Sequence, residues 1–283
     1  MDPRARVITW TALVLASWGL SAFSARAGEP AATPPAPATP PAADVAPADE
    51  IDPDAVALLK RFGKALEAEP KFSFAIDYSY DVVQEDGQKL EFGASRVYTV
   101  RRPDHLRIDE ERRSGGPREL LFDGDRITVY IVDDKAYALA NLKQHRDMDS
   151  MLDVIRDALD IPVPLGDLLR AKPLTQIEEG MQSAYIVGRE TLAGTECDHV
   201  AWRTDEVDVE AWIRASDPQL LERVVINYRD VDGQPSFRAQ FRNWNRSPDV
   251  ADGIFVFKPT ADVERVRFSV HGKDVQPPEE KKP

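Results

Sequence analysis

Cysteine occurs once among the 283 residues, at Cys197. No internal disulfide can form, so the fold must rest on a hydrophobic core. Histidine is nearly as scarce, with four copies, which leaves little material for a structural zinc site. Positive charge is in deficit: 36 Lys and Arg stand against 49 Asp and Glu, a formal charge of -13. Such a field repels phosphate backbones and anionic lipid surfaces, so no nucleic-acid partner is expected. The one long apolar run, Val7 to Leu20, is shorter than the roughly 20 residues a membrane span needs. No stable membrane span is therefore expected. Nucleophile elbows, HExxH, phosphate loops, dinucleotide fingerprints and complete calcium loops are all missing, so no metal and no cofactor is expected.

The apolar run is preceded by Arg4 and Arg6 and followed by Ala25-Arg26-Ala27, the layout of a secretory leader cleaved after Ala27. Residues 1–27 are thus expected to be a signal peptide and the protein to be periplasmic. Residues 28–50 are mostly Pro and Ala, a composition that favours an extended spacer and cannot bury apolar area. Residues 272–283, rich in Pro, Glu and Lys, are expected to be a disordered tail. A single folded domain remains over 51–271.

Within it, Val56, Leu59, Phe62 and Leu66 recur at helical spacing behind Pro53, and the helix should end before Pro70. Phe72, Phe74, Ile76, Tyr78, Tyr80 and Val82 then alternate with polar or small residues, the signature of a strand with one apolar face. Glu85-Asp86-Gly87-Gln88 turns the chain into a returning strand, Lys89 to Arg101, which carries Tyr98. Further strands are expected at His105–Arg112, Arg118–Phe122, Arg126–Val132 and Ala136–Leu142. Met148, Met151, Leu152, Ile155 and Leu159 mark a central helix before Pro162, with a short helical turn at Gly166–Arg170. The strand pattern resumes at Ala184–Arg189, Glu196–Arg203, Val207–Arg214, Leu221–Tyr228, Ser236–Trp244 and Ile254–Phe257. Successive hairpins without βαβ alternation predict an α+β, mainly β fold. It would be a single curved antiparallel sheet, an open half-barrel of about ten or eleven strands, covered by the N-terminal and central helices.

Candidate chemistry is sparse. Asp230-Val231-Asp232-Gly233 begins like a calcium loop but lacks the closing Glu, and Asp123-Gly124-Asp125 pairs two carboxylates across a glycine; hairpin turns explain both. Cys197 and His199, two apart on one strand face, are a weak thiolate and imidazole signal against the simpler reading of a buried cysteine beside a structural histidine. Trp202, Trp212 and Trp244 fall on strand patterns, where core packing is the default.

Several segments carry a resemblance. Val100-Arg101-Arg102-Pro103-Asp104-His105-Leu106-Arg107 is similar to a strand ending in Arg-Pro in the LolA and LolB superfamily of periplasmic lipoprotein carriers. Leu120-Leu121-Phe122-Asp123-Gly124-Asp125, followed by Val129-Tyr130, resembles their apolar strand, Asp-Gly turn and Tyr-bearing strand. Residues 194–202, 209–213 and 255–259 resemble, more closely, an uncharacterised bacterial family of predicted periplasmic proteins within that superfamily. The resemblance implies a LolA-like half-barrel holding acyl chains beneath a helical lid, and a role for Arg102 in hydrogen-bonding the lid. The expectation is a non-catalytic protein that binds or carries an acylated, lipid-type ligand or a lipoprotein. Its expected hydrophobic cavity is lined by Phe72, Phe74, Ile76, Tyr78, Tyr80, Tyr98, Met148, Met151, Leu152 and Ile155. The alternative is an envelope protein-interaction or sensor module with a closed core, recognising a protein partner. A hydrolase using Cys197 with His199 stands far behind both.

Overall fold

Alternation along residues 71–101 builds the centre of the sheet. In a computed structural model of the chain, which describes residues 7–9, 50–142, 146–159, 161–174, 180–270 and 273–274, strand β1 (Lys71–Val83) pairs with β2 (Lys89–Arg101) without a register break. Gly87, at φ 86°, supplies the left-handed residue that the connecting turn requires. Strands β3 (His105–Arg112), β4 (Arg118–Asp123), β5 (Arg126–Ile131) and β6 (Ala136–Asn141) follow outward from β2 as hairpins. On the other side lie β7 (Ser183–Leu192), β8 (Thr195–Arg203), β9 (Val207–Arg214), β10 (Leu221–Tyr228) and β11 (Ser236–Asn245). Pairing of β11 with β1 joins the two halves into one sheet.

Strand β12 (Glu264–Val270) runs parallel to β6, on the side away from β5. The sheet thus has twelve strands in the order β12, β6, β5, β4, β3, β2, β1, β11, β10, β9, β8, β7, and no pairing of β12 with β7 closes it among the described residues. Bulges in β7, β9 and β11 add bend to the ordinary right-handed twist, which curls so wide a sheet into an open trough.

Two helices occupy the trough. Helix α1 (Pro53–Glu67) starts where Asp52 accepts a hydrogen bond from the Asp54 N–H at 2.8 Å with Pro53 in the first turn, and it buries Ala55, Leu58, Leu59, Phe62 and Leu66. Helix α2 (Met148–Asp157) is capped by Asp147 and buries Met148, Met151, Leu152 and Ile155. A 3-10 turn, Gly166–Leu169, follows.

Two features depart from the alternation. Residues 254–257 are not a strand: Asp252–Ile254 is a 3-10 turn, and the chain after it crosses the outer face. There Phe255 meets His105 edge-on at 5.1 Å, and Phe257 sits between Tyr130 and Tyr137 at 4.9 and 5.0 Å. Glu264–Val270, absent from the expected strands, raises the count to twelve and adds a parallel pair. The expected leader (1–27), spacer (28–50) and tail (272–283) lie outside the described residues apart from Val7–Thr9, Glu50 and Lys273–Asp274. Val7–Thr9 runs parallel to β12, and Lys273–Asp274 pairs antiparallel with its end.

Candidate functional site

Side-chain size decides where the trough is full and where it is hollow. On β1 the inward positions carry Phe72, Phe74, Ile76 and Tyr78, all buried, and their bulk reaches the helices. The Phe74 ring lies 4.7 Å from Tyr98, 4.6 Å from Trp244 and 5.4 Å from Phe241. On β9 and β10 the inward residues are smaller: Val207, Val209, Ala211 and Ile213 face the trough beside Val224 and Ile226. The bulge between Trp212 and Ile213 resets the register so that Ile213 pairs with Leu221, which also lines the trough. The space left above these strands is a cleft of about 1160 Å³, partly open to solvent and somewhat larger than the usual small-ligand pocket.

Trp202 and Tyr228 complete the floor, Leu59 and Phe62 of α1 and Leu152 and Ile155 of α2 form walls, and residues 161–172 are the roof. From Val207 to Ile213 the floor runs six residue steps, about 20 Å at ~3.3 Å per residue. The lining is apolar in depth. Charge is confined to the roof and its neighbours, where Arg170 pairs with Asp153 at 3.0 Å and Asp167 at 3.1 Å.

Three side chains from β2 and its end hold the roof by its backbone carbonyls. Arg102 donates to the carbonyls of Leu169 at 2.8 Å, Arg170 at 2.6 Å and Leu168 at 3.4 Å, with its guanidinium 5.5 Å from the centre of the Phe72 ring. Burial pushes its pKa down, and its Nε is buried with no hydrogen-bond partner among the described residues. The Tyr98 hydroxyl donates to the Pro164 carbonyl at 3.3 Å, and burial raises its pKa. Arg96, 5% exposed, donates to the Pro162 carbonyl at 3.4 Å and to Glu110 at 2.5 Å. Glu110 also accepts from the Tyr78 hydroxyl at 3.1 Å. A buried ion pair is tolerable only when its remaining hydrogen bonds are met, and here the roof carbonyl and two tyrosines meet them. Helix α1 comes close to the same roof at Gly63, where a Cβ would stand 2.9 Å from the Pro173 carbonyl.

Of the ten residues expected to line the cavity, Leu152 and Ile155 do. Met148 and Met151 are buried in the core; Phe72, Phe74, Ile76, Tyr78 and Tyr98 fill the neighbouring part of the trough, and Tyr80 is 37% exposed beyond it. The cavity therefore lies over β8–β10, where small aliphatic residues leave volume, and not over the aromatic face of β1. Alternation alone could have found Arg96 and Glu110: Arg96 shares the inward parity of Ala94 and Tyr98, and Glu110 that of Leu106 and Ile108.

The Cys197 and His199 side chains are engaged elsewhere. Cys197 is fully buried, its thiol directed at the Thr195 carbonyl at 3.6 Å, and burial pushes its pKa up, away from a nucleophilic thiolate. His199 has Glu190 at 2.9 Å on Nδ1 and Glu210 at 3.0 Å on Nε2, and stacks on Trp212 at 4.1 Å. Asp123 accepts from the N–H groups of Asp125 and Arg126 across Gly124, a turn closed on its own backbone. Gly233 takes φ 74° in the Asp230–Gly233 turn. No group of three or more His, Cys, Asp or Glu suited to a metal exists among the described residues. No helix there is long and apolar enough to cross a membrane.

Comparison with solved structures finds similar folds at low identity. The lipoprotein LppX of Mycobacterium tuberculosis is 15% identical, with 71% of this chain and 100% of that chain covered and a TM-score of 0.43. A LolA superfamily protein from Nitrosomonas europaea is 10% identical, with 72% and 97% covered and a TM-score of 0.36. MucB in the Pseudomonas aeruginosa MucA/MucB complex is 17% identical, with 76% and 64% covered and a TM-score of 0.41. No curated protein matches. The model of a family described as predicted periplasmic protein, DUF2092, matches residues 55–269, a span that runs from the first turn of α1 to the penultimate residue of β12; the chain belongs to this family.

Proposed function

We propose that the protein is an exported, non-catalytic binding protein or carrier for an acylated, lipid-type ligand, whose chain occupies the cavity over β8–β10. In this reading the leader is removed after Ala27, and the Pro/Ala segment is the extended N-terminal arm of the domain (51–271). The observation that carries the reading is the cavity itself. About 1160 Å³ of space, open to solvent on one side and floored by Val207, Val209, Ala211, Val224 and Ile226, holds water against aliphatic side chains, and an apolar chain that displaced that water would be stabilised by the area it buries. The floor is long rather than round, which suits a chain more than a compact ring system. The roof is tied to β2 through its backbone carbonyls and also buries Ile161, Leu168 and Leu169, so admitting a ligand past it exposes those side chains.

Native mass spectrometry of protein purified from a periplasm without detergent, followed by lipid extraction of the same sample, tests this directly. The expected result is a discrete bound acyl species. Ile226→Asp, which puts a charge on the cavity floor, should abolish it. A clean apo mass with no uptake of added lipid would sink the reading and leave the closed-core interaction module as the alternative.

A further inference from the structure

The roof covers only one end of the trough. It meets β2 at Arg96, Tyr98 and Arg102, whereas the inward residues at the other end of the same strand, Phe92 and Leu90, are 39% and 38% exposed. Their partners across the hairpin are Tyr80, 37% exposed, and Val82. This uncovered patch is joined to the cavity. Tyr80 pairs with Phe237, Phe237 with Ile226, and Ile226 with Val209, each pair on the inward face. Ile226 and Val209 line the cavity, as does Tyr228, which is 37% exposed at the same end. Ring contacts bind the row together: Tyr78 lies 5.7 Å from Phe237 and 6.4 Å from Tyr80, and Tyr80 lies 6.1 Å from Phe92. Cross-strand neighbours on one face are about 4.5–5.5 Å apart at Cβ, so the row is continuously apolar, with Phe237 buried between the cavity and the exposed Tyr80 and Phe92.

Next to the track the sheet is cationic. Arg112 pairs with Ala94 and Arg118 with Glu110, so both share the inward face with Phe92 and Arg96. Three arginines thus stand around one buried carboxylate, Glu110, with Asp134 the further acid acting on Arg118. Burial first, and then Arg112, hold the Arg118 pKa below its usual value. In a chain of net charge -13, this is a local excess of positive charge beside exposed aromatic surface.

We infer that this open end is the second part of the ligand site, and that its occupant is a long single-chain amphiphile with an anionic head group. The far part of the chain lies in the cavity, the part near the head group leaves it at Tyr228 and lies on Tyr80 and Phe92, past the buried Phe237, and the anionic group rests beside Arg112 and Arg118. The inference rests on the lipid-ligand reading above and goes beyond it by naming the head-group charge and the portal.

Displacement of a fluorescent acyl probe from the purified protein tests it, using 12- and 18-carbon lysophosphatidylglycerol and 18-carbon lysophosphatidylcholine below their micellar concentrations. Phe92→Ser should weaken the 18-carbon glycerol lipid about tenfold, the equivalent of one lost aromatic contact. It should leave the 12-carbon lipid within about twofold, because the shorter chain fits inside the cavity. Leu90→Ser, at a site still more peripheral to the core, should act in the same direction. Arg112→Gln should weaken the glycerol lipid more than the choline lipid, whose phosphate is partly offset by its own ammonium group. Losses independent of chain length, or an Arg112→Gln effect equal for both head groups, would overturn the inference while leaving the cavity reading intact. So would a concentration-dependent dimer that Phe92→Ser abolishes, since the patch would then belong to a second copy. Failure of the wild type to bind any of the three lipids would remove both readings together.

Discussion

Replacing Arg102 with methionine keeps the aliphatic stem against Phe72 and removes every donor that holds the roof at Leu168–Arg170. Two of the three bonds are short, 2.6 and 2.8 Å. Bonds from a charged donor contribute about 1.5–3 kcal/mol each, less when they share one group. Against them stands the cost of desolvating a half-buried guanidinium whose Nε is unmet, about 1–3 kcal/mol. The difference comes to about 2 kcal/mol, or roughly a thirtyfold rise in the open population of the roof. Native-state hydrogen exchange reads it at the amides of Leu168 and Arg170, whose bonds to the Leu165 and Asp167 carbonyls close the one short turn that Arg102 anchors and fray when that anchor is lost. These should exchange roughly thirtyfold faster in Arg102→Met, with the amides of β3 and β4 unchanged. Arg102→Lys, which restores charge without the planar fork, should fall between. Uniformly faster exchange across the sheet would show that Arg102 is a general prop of the core. Unchanged exchange at Leu168 and Arg170 would show that the roof is held by α1 and α2 alone.

Other expectations follow from single contacts. Phe74→Ala empties a site enclosed by Tyr98, Phe241 and Trp244 and should cost about 3–5 kcal/mol in denaturant melts; a loss below about 1 kcal/mol would mean that the aromatic cluster collapses freely around the gap. Cys197, buried and with its pKa raised, should resist iodoacetamide in the native protein and react once the chain is denatured; fast native labelling would contradict its placement. Asp262, held at about 2 by hydrogen bonds from Lys135 and Thr260, stands below its ordinary 3.8. A folded-state pKa below the unfolded one adds stability that is complete above pH 3.8 and is lost as pH falls towards about 2. Thermal melts of Lys135→Met should therefore lose less stability than wild type over that window, and an identical acid profile would refute the pairing. Gly63→Val should push the roof away at Pro173 and speed exchange at Leu168 without a matching fall in global stability.

Strand after strand could be located from period-two alternation, because each has one face against the core and the other in water, and the 71–101 hairpin is its cleanest case. Both helices were legible from apolar residues three and four apart, with Pro53 at the start of the first and Pro162 beyond the second. Arg102 was reached only through a resemblance, since nothing in local pattern distinguishes it from Arg101. Two strand assignments at the end of the chain were not legible. Phe255-Val256-Phe257 is apolar enough for a strand, yet its rings bury against His105, Tyr130 and Tyr137 on the outer face. Glu264–Val270 gains its place from a parallel partner far back in the chain, β6.

The position of the cavity depended on tertiary structure in a way no periodicity encodes. Alternation names which residues point inward, and it named the aromatic face of β1 correctly as inward. Whether an inward face meets protein or open space depends on the summed volume of what packs opposite. Phe72, Phe74 and Tyr98 are large enough to touch the helices; Val209, Ala211 and Val224 are not. Likewise, Arg96 and Glu110 face each other by hairpin register alone, but the contact of Arg96 with the Pro162 carbonyl, 66 residues away, required the trough to close over them. Sequence fixes charge, periodicity and parity because these are local; volume left over between distant elements exists only once they are packed.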